Sequence, residues 1–199
     1  MPGTRSAIVL ASGNPAKRAE IERMLSPVRI IPQAELFVGD AEETGLSFTE
    51  NAILKARFAA ERTGLPSLAD DSGLETDALG GAPGVRSARF AGEGASDDDN
   101  LRKLLAELKG VPDDRRTARF RCVICFLRHA GDPIPLICEG TWEGSIAQSP
   151  RGTNGFGYDP VFLVGNGSLT AAELDPAIKD RLSHRGQALA ELARQLAGC

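Results

Sequence analysis

The segment "AIVLASGNPAKRAEIERML", residues 7–25, decides how the chain is read. An apolar run starting at Ala7 ends in the turn residues Ser12 and Gly13. Asn14 and Pro15 then supply an N-cap and a first helical residue, predicting a helix to about Leu25. Strand, tight turn and helix is the unit from which α/β folds are built. Several N–H groups at such a helix start lack partners, and the helix dipole places partial positive charge there. Ser12, Gly13, Asn14, Pro15, Ala16 and Lys17 therefore suit a phosphate, with Lys17 adding a full charge. An ordinary strand-to-helix turn capped by asparagine reads equally well, because the Walker spacing is absent.

Working outward, Ile30 to Phe37 reads as a weaker extended stretch. Ser47 and Glu50 have capping-box spacing and open a second helix, stopped near Thr63 by Gly64 and Pro66. Leu65 to Ala69 reads as a short strand that ends at Asp70 and Asp71. Ser96 caps a third helix, with Leu101, Leu104, Leu105 and Leu108 on one face. Thr117–Arg128 and Ile134–Glu143 predict a hairpin through "HAGDP". Thr170 and Glu173 make a capping-box pair before a short helix, and Ser183 precedes a last helix carrying Leu189, Leu192 and Leu196. The alternation means an α/β fold on a mainly mixed sheet. No repeat or linker interrupts it.

The 199 residues are 42% apolar and 25% charged, with a net charge of −4, as in a globular protein. The acidic balance argues against a nucleic-acid polymer as partner but leaves room for a single nucleotide in a local basic pocket. No run of about 18 apolar residues predicts a membrane span, and "MPGTRSAIVLASGN" shows no signal-peptide pattern. The expectation is a cytoplasmic protein. Cys122 and Cys125 sit in "TARFRCVICFLR", where a three-residue offset along a strand points them to opposite faces. With Cys138 and Cys199 standing alone, the cysteines read as incidental thiols rather than a zinc site.

Charge meets glycine at three further places. Glu42 and Glu43 lie in "GDAEETG", and Asp70 and Asp71 open "DDSGLETDALGG". The aspartates either shape a turn or hold a metal ion, and Mg²⁺ prefers one or two such carboxylates with waters and phosphate oxygens. The three aspartates of "SDDDN", residues 96–100, occupy the first turn of a helix, where negative charge is favoured anyway, and receive no ligand role. In "GTNGFGYDP", residues 152–160, Phe156 and Tyr158 either stack a base or fill the core. Lys179, with His184 and Arg185 of "SHRG", either meets a purine carbonyl or a phosphate, or is simply exposed. His129, at the hairpin tip, receives no role.

Taken together, "ASGNPAK", "SFTENAILKA", "ADDSGLETDALGGAPG", "GFGYDP" and "SHRGQAL" closely resemble the inosine triphosphate pyrophosphatase family, also called dITP/XTP pyrophosphatases, in the family's order from Ala11 to Leu189. The resemblance implies a single domain over residues 1–199: a long twisted mixed sheet flanked by helices, in two lobes with a cleft between them, assembled as a homodimer. It implies Mg²⁺-dependent hydrolysis of ITP, dITP and XTP to monophosphate and pyrophosphate. By the same resemblance Ser12 to Lys17 and Lys55 hold the triphosphate, and Glu42 and Asp71 bind the metal. Asp71 is also the favoured proton acceptor, with Asp70 as an alternative base or a support behind it. Ser72, Phe156, Gly157, Tyr158, Asp159, Lys179, His184 and Arg185 complete the nucleotide pocket. One departure is Arg86 in "PGVRSARF", where the family usually carries tyrosine. Two rival readings are a nucleotide-sensing module without catalysis and a phosphatase acting at the γ-position. "DDSG" lacks the D-x-D arrangement that would favour the second.

Overall fold

The computed structural model describes residues 7–165 and 167–197. Cys199 therefore lies outside the described residues. Among the described residues one sheet carries seven strands in the order β2-β1-β3-β4-β5-β6-β7. In chain order these are β1 Ile8–Leu10, β2 Ile30–Pro32, β3 Ser67–Thr76, β4 Thr117–Leu127, β5 Leu136–Ile146, β6 Phe162–Val164 and β7 Leu169–Thr170. The helices are α1 Pro15–Leu25, α2 Phe48–Thr63, α3 Asp97–Glu107, α4 Pro176–Leu182 and α5 His184–Ala197. β1 pairs in parallel with β2 and β3, while β6 pairs antiparallel with β5 and β7, so the sheet is mixed as expected. No helix among the described residues is long and apolar enough to cross a membrane.

The chain forms two compact units. The first comprises Met1–Asp71, Cys122–Glu139 and Gln187–Cys199. Its strands bury both faces. Ile8, Leu10 and Leu68 join Cys122 and Ile124 in one cluster with Ile21 and Leu25 of α1 and Leu189 of α5. Val9, Ala11 and Ala69 join Val123 and Cys125 in another, with Ala52, Ala56 and Ala59 of α2. The alternation is the two-residue period of a strand, and it separates Cys122 from Cys125 as the sequence predicts. Burial raises the Cys125 thiol to about 12 and the Cys138 thiol to about 11, which keeps both protonated and inert.

The second unit comprises Ser72–Arg121 and Gly140–Gly186. Leu101, Leu104 and Leu108 bury one side of α3 against Phe120, Trp142 and Phe162, each such leucine contributing about 1.5–3 kcal/mol. The buried Arg116 donates from its guanidinium to the carbonyls of Leu108, Ile146 and Ala147 at 2.9, 2.7 and 2.9 Å. It thereby satisfies a helix-end acceptor that lies away from water.

Local signals held where they were chemically specific. Asn14 Oδ1 accepts from the N–H groups of Ala16 and Lys17 at 2.9 and 3.1 Å, with Pro15 opening α1. Ser47 and Glu50 close a capping box on α2, and Ser96 and Asp99 do so on α3. Three expectations need correction. The strand expected to end at Asp70 runs on to Thr76, burying Leu74 and Thr76 on the way. The stretch from Ile30 is extended only to Pro32, then turns as a short 3₁₀ helix over Gln33–Leu36. The capping box of Thr170 and Glu173 closes a single 3₁₀ turn, Ala171–Glu173, while α4 has its own cap, Asp175, whose side chain accepts from the Ala177 N–H.

Candidate active site

In the first unit the site grows from β3. Successive strand residues face opposite ways, so Asp70 shares a face with Leu68 and Asp71 shares one with Ala69. Asp70 accordingly meets α1: its carboxylate pairs with Lys17, and its Oδ2 accepts from the Cys122 thiol at 3.1 Å. Asp71 meets α2, where Lys55 Nζ lies 2.6 Å from its Oδ1. The same ammonium lies 2.8 Å from Oε1 of Glu43. Lys55 thus bridges two carboxylates from separate segments. Glu42, the residue named from the sequence, is exposed beside Glu43.

Burial pushes the Asp71 carboxyl above its ordinary range; Lys55 and Lys17 pull it down, and Glu43 pushes it further up. Burial works to lower Lys55, but the attraction of Asp71 and Glu43 outweighs it and raises the ammonium's pKa. The two directions have different causes: burial raises Asp71, and the attraction of two carboxylates raises Lys55. A buried carboxylate that holds its proton readily is suited to accepting one during a reaction.

The turn from Ser12 to Lys17 joins a side-chain acceptor to a helix cap. Ser12 Oγ accepts from the Asn14 N–H at 3.3 Å, and Asn14 in turn caps α1. Gly13, Asn14 and Pro15 are exposed, while Ser12, Ala16 and Lys17 are half-buried. Backbone and side chain are thus presented at the surface on a helix start beside an ammonium group.

In the second unit the sequence-named residues also come together. Lys179 Nζ donates to Asp159 Oδ2 at 2.6 Å, and the same oxygen accepts from the Phe156 N–H at 2.9 Å. Lys179 and Arg185 lie over the Phe156 ring, 5.1 and 5.6 Å from its centroid. Arg185 Nη2 donates to Ser72 Oγ at 2.8 Å. His184 stacks on Phe120 with centroids 4.7 Å apart. Lys179, His184 and Arg185 are all buried, which removes the reading of exposed basic side chains. The two aromatics divide: Phe156 is half-buried, whereas Tyr158 is a core residue whose hydroxyl donates to the Ser87 carbonyl at 2.8 Å.

Two glycines make this packing possible. Gly155 has a φ of +75°, and a Cβ there would overlap the Asp159 carboxylate. A Cβ on Gly186 would overlap the Asp180 carbonyl, so α5 can follow α4 this closely only with glycine at that position.

The sequence pattern of the Ham1 family matches residues 8–195. The chain belongs to the Ham1 family. It is 59% identical over 194 residues to a dITP/XTP pyrophosphatase of Methylococcus capsulatus, covering 96% of each chain. It is 59% identical over 184 residues to a dITP/XTP pyrophosphatase of Shigella flexneri, covering 92% of this chain and 93% of that one. A solved Ham1 protein from Coxiella burnetii matches with a TM-score of 0.90 at 53% identity, over 98% of this chain and 100% of that one.

In this Ham1 chain sequence reasoning missed two supports. Asn51, one helical turn before Lys55 and fully buried, accepts from the Gly45 N–H through Oδ1 at 2.8 Å and so pins the segment that follows Glu43. The i, i+4 spacing that puts Asn51 and Lys55 on one helix face was a readable signal. Cys122 backs Asp70 from another strand, and nothing in the sequence announces that pairing.

Proposed function

We propose that this chain hydrolyses the α–β phosphoanhydride of deaminated purine nucleoside triphosphates, ITP, dITP and XTP, to the monophosphate and pyrophosphate, with Mg²⁺ as cofactor. The observation that carries the reading is Lys55 held between Asp71 and Glu43, while Lys17 pairs with Asp70 on the same strand. The relatives named dITP/XTP pyrophosphatase supply the substrate class.

The donor set fits the metal. Among the described residues no three His, Cys, Asp or Glu side chains gather into a closed cage. Mg²⁺ asks for less than that: one or two carboxylates, with waters and substrate phosphates completing its shell. Glu42 and Asp71 are the proposed ligands, and Glu43 is a third carboxylate on the same segment. The ion, when bound, lowers the pKa of water and shields phosphate charge.

Asp71 then accepts the proton of the attacking water. Lys17 and Lys55 neutralise charge on the departing pyrophosphate, and the turn from Ser12 to Lys17 presents N–H groups and a positive helix end to the triphosphate. Phe156 offers a face to the base, with Gly157, Tyr158 and Asp159 shaping the loop around it and Ser72, Lys179, His184 and Arg185 providing polar groups. Donors aimed at a 6-oxo group discriminate against adenine's amino group, by about 10⁴-fold in sites of this kind. A homodimer in the cytoplasm, acting on free nucleotides rather than on a nucleic-acid polymer or a membrane, completes the proposal.

The test is product identification after incubation with Mg²⁺ and a panel of ITP, dITP, XTP, GTP and ATP. Pyrophosphate from ITP, dITP and XTP is the expected result. Orthophosphate as the product, or binding without turnover, defeats the reading.

The two glutamates are ranked by a second measurement. Glu42→Gln is expected to raise the Mg²⁺ concentration for half-maximal rate by more than about tenfold, as loss of a charged ligand would. Glu43→Gln is expected to raise it less, because the Glu43 carboxylate already pairs with Lys55. The reverse order assigns the stronger metal contact to Glu43.

A further inference from the structure

The three aspartates that open α3 do different work. Asp99 closes the capping box with Ser96, and Asp98 forms an ion pair with Arg102 one turn along. Both serve the helix. Asp97 instead reaches a segment 60 residues away, where its Oδ2 accepts from the Gly157 N–H at 2.8 Å. The neighbouring Phe156 N–H is held by Asp159 Oδ2 at 2.9 Å. Two consecutive amides of the aromatic loop are thus gripped by carboxylates from different elements, one exposed and one buried.

Phe156 is the ring that these amides orient, and its face carries Lys179 and Arg185. Asp159 holds the peptide that enters Phe156, and Asp97 holds the peptide that leaves it. We propose that Asp97 is a positioning residue for base recognition: it holds the loop of Phe156 in the conformation that receives the purine, and it does so from outside the nucleotide pocket. This rests on the pyrophosphatase reading, since it assigns the loop to the base. A helix-start aspartate would on sequence grounds be only a cap, and here the capping work is already done by its neighbours.

The test uses Asp97→Ala and Asp97→Asn, with Asp98→Ala as the control for lost negative charge at the helix start. Steady-state kinetics on ITP and hydrogen exchange at the Gly157 amide are measured on each. Asp97→Ala is expected to raise KM for ITP about tenfold with kcat within twofold of the parent, on the scale of one lost hydrogen bond to a charged group. It is also expected to speed exchange at Gly157. Asp97→Asn keeps an acceptor oxygen and is expected to restore most of both. Asp98→Ala is expected to match the parent.

An unchanged KM in Asp97→Ala overturns the proposal, as does a fall in kcat alone or an equal effect in Asp98→Ala. Slow exchange at Gly157 in Asp97→Ala overturns the anchoring itself. Failure of the parent protein to hydrolyse ITP is a separate result. It defeats the proposed function, and the exchange measurement still reports whether Asp97 holds the loop.

Discussion

Asp71→Asn is expected to lower ITP turnover by at least about a thousandfold while leaving the melting temperature close to that of the parent. The loss combines two effects. Asparagine accepts no proton from water at neutral pH, and general-base catalysis is worth about 10²–10⁴ in rate. It is also a neutral and weaker ligand for a hard divalent cation. Preservation of the fold follows from the electrostatics at this position. The native carboxylate is held above its ordinary pKa, with burial the largest cause, so removing its charge relieves a desolvation cost. Lys55 keeps Glu43 at 2.8 Å in the variant's starting geometry. Steady-state kinetics and thermal unfolding read the two halves of the prediction. Near-normal turnover would remove Asp71 as the proton acceptor, and a large drop in melting temperature would show that its charge is structural.

Asp70→Asn is the informative partner to that variant. The two aspartates are adjacent, yet they face opposite sides of β3 and meet different lysines. Seen as letters they are indistinguishable. They become distinct only once β3 is known to run through them, because the two-residue period then assigns each a face. The sequence predicts that the strand stops where charge begins, which is the ordinary expectation for carboxylates beside an apolar run. Counter-charges from α1 and α2, brought in from 53 and 16 positions away, overturn it. Long-range partners of that kind leave no local trace.

The legible parts share one property: the chemistry that fixes them is local. Asn14 followed by Pro15, Ser47 with Glu50 and Ser96 with Asp99 each satisfy helix N–H groups within a few residues, and each appears where the pattern puts it. Family motifs carried the identity of Lys179, His184 and Arg185. Their burial came from the structure, since basic side chains at a helix start are ordinarily solvated. Glu43 and Glu42 differ by one position in an irregular segment. Only the reach of Lys55 tells them apart, with Asn51 holding the backbone at Gly45.

Asp159→Ala carries the largest expected effect on stability. Asp159 and Lys179 face each other at 2.6 Å with side chains only 4% and 7% exposed. Removing one partner of a buried pair typically costs about 3–5 kcal/mol, because the remaining charge stays desolvated. For a chain of this length that corresponds to a fall of about 6–20 °C in melting temperature. The same substitution frees the Phe156 amide, so ITP binding should weaken as well. Those two losses have different causes, and a second variant separates them. Replacing Lys179 by methionine in the Asp159→Ala background removes the buried ammonium that faced Asp159, and buried ion pairs often exchange for apolar residues at little cost. The double variant is expected to recover most of the melting temperature. It is not expected to recover ITP hydrolysis, since neither the Asp159 anchor on the Phe156 amide nor the Lys179 cation over Phe156 returns. Recovery of both would mean that the pair serves only the fold. A melting temperature unchanged in Asp159→Ala would mean that the two side chains are not held together out of water.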